Sequence, residues 1–195
     1  MPLRSKRPVI DAWQKLRLSA EDIPSHFSAP QNIGVLLGES SGHLVDVDLD
    51  TPQAIIAAHH VLPDTGCIFG RAGSQASHHL FVAETKTEQF KFDGVILVEL
   101  RSTGVQTIMP GSVHVTGETI DWEVDNGPAE IDPTELRRAV AKVAALASHW
   151  PTTGRREATL ALSGGLKRSQ WTKDFAIDFV RAITDAAADE EQATA

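Results

Sequence analysis

The run Gly42-His43-Leu44-Val45-Asp46-Val47-Asp48-Leu49-Asp50 alternates apolar and acidic residues with a period of two. An extended strand sends successive side chains to opposite faces, so Val45, Val47 and Leu49 share one side and Asp46, Asp48 and Asp50 the other. Same-face neighbours on a strand lie about 7 Å apart, so the three carboxylates repel one another unless water or a cation neutralises them. Hard oxygen ligands on a rigid strand suit Mg²⁺ or Mn²⁺. An exposed edge strand with a polar face is the plainer alternative, yet strands disfavour Asp, and three in alternation exceed what propensity explains.

Working outward, residues 32–37 form a second short apolar run, and Gly38-Glu39-Ser40-Ser41-Gly42 between the two reads as a turn. Thr51-Pro52 supplies an N-cap and a first-turn proline, which predicts a helix to about residue 61. Further strands are expected at 66–70, 77–83, 94–101, 105–109 and 119–124, rich in β-branched and aromatic residues. Upstream, Ser19-Ala20-Glu21-Asp22 resembles a capping box and predicts a short helix near 20–27, followed by a loop at Pro30 and Asn32. From Asp132-Pro133-Thr134-Glu135 the period turns helical, with Leu136, Val140, Val143 and Ala147 on one stripe. Phe175, Phe179 and Ile183 carry helical spacing over 172–187, while 151–168, with Pro151, Gly154 and Gly164-Gly165, reads as a connector around a short helix. The expected architecture is α/β: a sheet-containing body over 1–130, then a helical appendage over 131–195 with an acidic disordered tail.

With 195 residues, 42% of them hydrophobic, the chain can pack one full domain and a small appendage. No run approaches the eighteen or so apolar residues of a membrane span, and the start carries no secretory signal pattern, so a cytoplasmic location and no membrane partner are expected. The single cysteine, Cys67, excludes an internal disulfide and a zinc site built on paired thiolates. A net charge of −8 argues against gripping nucleic acid over the whole surface. Four of those negative charges lie in the last eleven residues, however, and −8 less −4 leaves −4 for the body. Arg4-Ser5-Lys6-Arg7, Arg137-Arg138 and Arg155-Arg156 retain local basic character.

Four further places carry chemistry. Ser77-His78-His79 opens a strand, where a histidine can meet a triphosphate or sit satisfied in the core. Glu99 and Arg101 share one face of the apolar run Val95–Arg101, and a carboxylate there needs a partner or a metal. Pro110-Gly111-Ser112-Val113-His114 places a hydroxyl and an imidazole in a turn at a strand end. Arg71, among the glycines of Gly70-Arg71-Ala72-Gly73, can meet phosphate. His59-His60 reads as surface or packing.

In their order these motifs resemble the bifunctional primase/polymerase (prim-pol) domain of the archaeo-eukaryotic primase superfamily. GHLVDVDLD is similar to the family's acidic D-x-D strand, GSQASHHLF to its small-residue-plus-His strand, and VELRS to its acidic residue in an apolar strand. Pro110 to Gly117 is similar to the P-P-S-x-H-x-x-G loop, with Gly111 in place of the second proline, ahead of a strand with Trp122. Lys6-Arg7-Pro8 before Trp13, and Asn32-Ile33-Gly34-Val35 before the acidic strand, extend the likeness over about residues 5–125.

The resemblance implies an RRM-like catalytic sheet backed by helices, a two-metal Mg²⁺ or Mn²⁺ site without zinc, NTP or dNTP substrates, and a single-stranded DNA template or primer-template. It assigns Asp48 and Asp50 to the D-x-D pair, with Glu99 completing the carboxylate set. Asp46 then stands at a normally apolar place, although strand parity keeps it among the candidate ligands. His78 is the expected catalytic histidine and His79 a nucleotide contact, but periodicity does not choose between them. Arg101, Ser112 and His114 are implied nucleotide contacts, and Arg71, read from its place among glycines, joins them as a nucleotide-binding candidate. A helicase, in a longer parent chain or a separate polypeptide, is an implied partner. Two other functions compete: a metal-dependent nuclease, and a degenerate module that binds nucleotide or single-stranded DNA.

Overall fold

The structure is a computed structural model that describes residues 1–148, 155–168, 173–174, 176–177 and 180–181. It is mixed α/β, with a large, mainly antiparallel sheet and a few helices. The strands are β1 (Gly34–Leu36), β2 (Leu44–Leu49), β3 (Gly66–Arg71), β4 (Ser74–Val82), β5 (Glu88–Phe92), β6 (Val95–Arg101), β7 (Gln106–Ile108), β8 (Asp121–Gly127) and β9 (Ala129–Glu130). The helices are α1 (Ile23–His26), α2 (Pro52–Val61), α3 (Pro133–Ser148) and α4 (Arg155–Arg168). The larger sheet runs β5-β6-β2-β4-β3-β8, with β9 alongside β4, while β1 and β7 pair separately.

The chain divides into two compact units. The first comprises Met1–Asp48, Asp64–Glu88 and Leu100–Pro133. In it β4 lies antiparallel to both β2 and β3, with Asp48 opposite His78 and Val47 opposite His79. Val45 and Val47 are fully buried, as the two-residue period requires. Cys67, Phe69, Leu80, Ile108 and Ile120 form a core cluster, with Met1, Leu44, Met109 and Trp122 packed on it. Gly70 is dictated by space: a Cβ there would stand 2.4 Å from the Ser74 carbonyl oxygen, so the tight β3–β4 turn admits no side chain. Buried Asn32 ties the segment before β1 to the loop after β7, donating to the Val113 carbonyl (2.8 Å) and accepting from its N–H (2.9 Å).

The second unit comprises Leu49–Pro63, Gln89–Glu99 and Thr134–Ala195. Thr51 caps α2 as expected, its hydroxyl oxygen accepting from the Ala54 N–H at 3.2 Å. Ala54, Ala57 and Ala58 bury one face of that helix. In α3, Leu136, Val140 and Val143 are buried, and Ala139, Ala144 and Leu146 widen the stripe while Ala147 is half-buried.

Three expectations change. The Ser19–Asp22 capping pair forms reciprocally, each backbone N–H meeting the other's side chain (3.0 and 3.3 Å), but the helix it introduces is the single turn Ile23–His26. Strand β5 was hidden because Glu88–Phe92 has no clean apolar alternation. It forms as the outer arm of a hairpin whose turn, Asp93-Gly94, has φ of 47° and 81°. Residues 155–168 are a fourteen-residue helix that runs through Gly164-Gly165, because the helix formers around the pair outweigh the roughly 1 kcal/mol cost of each glycine. Phe175, Phe179 and Ile183 lie outside the described residues. Among the described residues no helix is long and apolar enough to cross a membrane.

Candidate metal centre

Strand β2 aims Asp46 and Asp48 to one face, and the antiparallel register sets His78 of β4 beside them. The His78 Nδ1 lies 3.0 and 3.2 Å from the two Asp46 carboxylate oxygens and 3.6 Å from Asp48 Oδ1. The ring of Phe69 stacks on the imidazole at 4.6 Å between centroids and 8° between planes, which fixes its orientation. From β6, the Arg101 Nη1 reaches Asp48 at 3.3 Å and Asp46 at 3.6 Å, while its Nη2 donates to the Gln106 carbonyl at 2.5 Å.

Asp46 is fully buried, and its burial alone would raise its pKa. The His78 and Arg101 charges and the His78 hydrogen bond outweigh that, holding the carboxyl below the usual carboxylate range. Burial likewise presses His78 toward neutrality, but Asp46 and Asp48 together raise its pKa above the ordinary histidine value. The cluster is therefore two carboxylates balanced by one guanidinium and one imidazole that holds its proton unusually well. Asp46, Asp48 and His78 can each offer one ligand atom, and those atoms all lie within 4.8 Å of one another. That spread fits a single cation bound at about 2.1–2.4 Å from each donor, so the residues present can hold a metal ion.

The remaining candidates fall in distinct places. Asp50 lies one residue past the end of β2 and is exposed, its N–H bonded to the Leu97 carbonyl. Glu99 accepts from the Gln89 side chain at 2.7 Å. Neither belongs to the ion-ready group. His79 is buried on the face shared with Val47, its Nε2 3.1 Å from the Ala76 carbonyl oxygen. Ser112 is buried, and its Oγ accepts from the Ile33 N–H at 2.9 Å.

Arg71, the last residue of β3, and His114, in the loop after β7, come to a second cluster. Arg71 pairs with Glu118 at 2.7 Å, and His114 Nδ1 lies 2.9 Å from the Thr116 hydroxyl. Burial, then the nearby Lys6 and Arg71 charges, lower the His114 pKa, so that ring is neutral at physiological pH. Neither Glu118 nor the action of the Lys6 charge on His114 is marked by the sequence motifs. Nothing local to Thr116-Gly117-Glu118 announces a partner forty-odd positions upstream.

The family model for the N-terminal domain of bifunctional DNA primase/polymerases matches residues 1–154. The chain belongs to this family. No curated protein matches it. As a prim-pol domain it is of DNA primase/polymerase type, a nucleotidyltransferase-like class that handles nucleotides and DNA. The Asp-Asp-His group lies within the matched residues, as do Arg71, Arg101 and His114.

Proposed function

We propose that this prim-pol domain is a metal-dependent nucleotidyltransferase, joining nucleotides from NTPs or dNTPs to a primer end or an initiating nucleotide on a DNA template. The observation that carries the reading is the Asp46–Asp48–His78 group, whose donor atoms lie within 4.8 Å of one another. These three would hold the catalytic cation, and two carboxylates with one imidazole suit Mn²⁺ at least as well as Mg²⁺. Bound there, a divalent ion would neutralise charge on the reacting phosphates. Asp50 and Glu99 enter as ligands through the sequence pattern and the family's motifs. Arg101 keeps the two aspartates aligned through its 3.3 and 3.6 Å contacts. Arg71 and neutral His114 would receive the triphosphate, the guanidinium by charge and the imidazole by hydrogen bonding. A helicase in the same or another polypeptide would supply single-stranded template.

The test is primer synthesis and extension on single-stranded DNA with Mg²⁺ or Mn²⁺, comparing wild type with Asp46→Ala, Asp48→Ala and Asp50→Ala. Loss of product in the first two is expected. Full activity in both removes the assignment of the site. One observation favours a second reading, a binding module without catalysis: Arg101 and His78 already balance the two carboxylates. A wild-type protein that binds dNTP or single-stranded DNA but makes no product with either metal decides for that reading.

A further inference from the structure

We infer that Glu118 is a positioning residue that pre-assembles the triphosphate site by holding Arg71 and His114 in one geometry. The inference rests on the nucleotide-site reading above. Three donors converge on this one carboxylate. Its Oε2 accepts from Arg71 Nη1 at 2.7 Å and from the Thr116 hydroxyl at 2.6 Å, and its Oε1 accepts from the Gly73 N–H at 2.6 Å. The same Thr116 oxygen stands 2.9 Å from His114 Nδ1, and the Glu118 carbonyl accepts from the His114 N–H at 2.8 Å. The β3–β4 turn and the loop after β7 are thus joined through one side chain. Nδ1 also accepts from the Thr116 N–H at 3.3 Å, which places the neutral ring's proton on Nε2, the nitrogen left to donate to a phosphate oxygen.

The physical need for such a residue is twofold. A free arginine loses rotamer entropy when a ligand fixes it, and an arginine already clamped does not lose it again on binding. Secondly, the Arg71 charge acts on the His114 imidazole, and the Glu118 carboxylate, 2.7 Å from that guanidinium, offsets it until an anionic ligand arrives. Glu118 touches neither metal ligand nor reacting atom in this arrangement, so its effect passes through Arg71 and His114.

The experiment is calorimetric titration of the full chain with dATP in the presence of Mn²⁺. The proteins are wild type, Glu118→Ala, Glu118→Gln, Arg71→Ala, His114→Ala and the double variant Glu118→Ala/Arg71→Ala, each checked by thermal melting. Glu118→Ala is expected to weaken dATP binding about tenfold. Glu118→Gln, which keeps the shape and part of the hydrogen bonding, should recover part of that loss. In the double variant Glu118→Ala should add little to Arg71→Ala, because the residue acts through its partner. If Arg71→Ala and His114→Ala weaken binding while both Glu118 variants bind as wild type, the role of Glu118 is overturned and the nucleotide site stands. Fully additive losses overturn it too. If Arg71→Ala and His114→Ala bind dATP unchanged, the nucleotide-site reading falls and this inference with it. Should Glu118→Ala fail to fold, Glu118→Gln decides, since unchanged binding there overturns the role.

Discussion

Replacing Asp46 by Asn tests the electrostatics of the centre without reference to catalysis. In the metal-free protein the buried Asp46 carboxylate faces His78 Nδ1 at 3.0 Å and Arg101 Nη1 at 3.6 Å. Removing one partner of a buried ion pair costs about 3–5 kcal/mol when the other is left uncompensated. Here Asp48 remains, 3.6 Å from His78 and 3.3 Å from Arg101, and the Asn amide oxygen keeps a hydrogen-bond acceptor. The expected loss of stability at pH 5.5 is therefore about 2 kcal/mol, below that range. The pH dependence follows from the raised His78 pKa. A group whose folded pKa is raised contributes stability that is complete below its unfolded value of about 6.5 and is lost as pH rises through the folded value. Asp46, with a lowered pKa, contributes above its unfolded value of about 3.9 and loses that contribution only as pH falls further. Both contributions are thus present between about pH 4 and 6.5. Urea unfolding of wild type and Asp46→Asn in EDTA, at pH 5.5 and at pH 9, is the assay. The difference should be large at pH 5.5 and smaller at pH 9. A difference that is equal at both, or larger at pH 9, refutes the pairing of Asp46 with a protonated His78.

Three other outcomes follow from the same structure. Mn²⁺ must displace the proton that His78 holds, so affinity measured by electron paramagnetic resonance should rise from pH 6 to pH 8, and a flat profile would remove His78 from the ligand set. Thr51→Ala removes the 3.2 Å cap bond of α2 and should cost about 1 kcal/mol in chemical denaturation, with no loss meaning the cap is idle. Cys67 is buried and its thiol is pushed up by that burial, so native protein should react with a thiol reagent far more slowly than protein in urea; equal rates would contradict its place in the core.

The local half of this molecule could be read from the chain. Val45, Val47 and Leu49 are buried because a strand alternates, and that rule spans only neighbouring residues. Thr51-Pro52 marked the start of α2, while the strand before it ends at Leu49, one residue short of the expected Asp50. The stripe of α3 and the Ser19–Asp22 pair are likewise matters of three or four residues. Glu88–Phe92 escaped because a polar edge strand has no period to show.

The choice among equivalent side chains needed the tertiary structure. Parity treats His78 and His79 alike, and only the register of β4 on β2 sets His78 opposite Asp48 and turns His79 to the other face with Val47. The family pattern favoured Asp48 and Asp50, while the sheet surrounds Asp46 with His78 and Arg101. Glu118 gained partners on another strand pair that no local spacing encodes. The sequence by itself determined that an acidic strand, a histidine strand and a turn rich in ligand groups exist in this prim-pol domain. Which atoms meet was decided by inter-strand register and loop closure, because both depend on pairing between segments far apart in the chain.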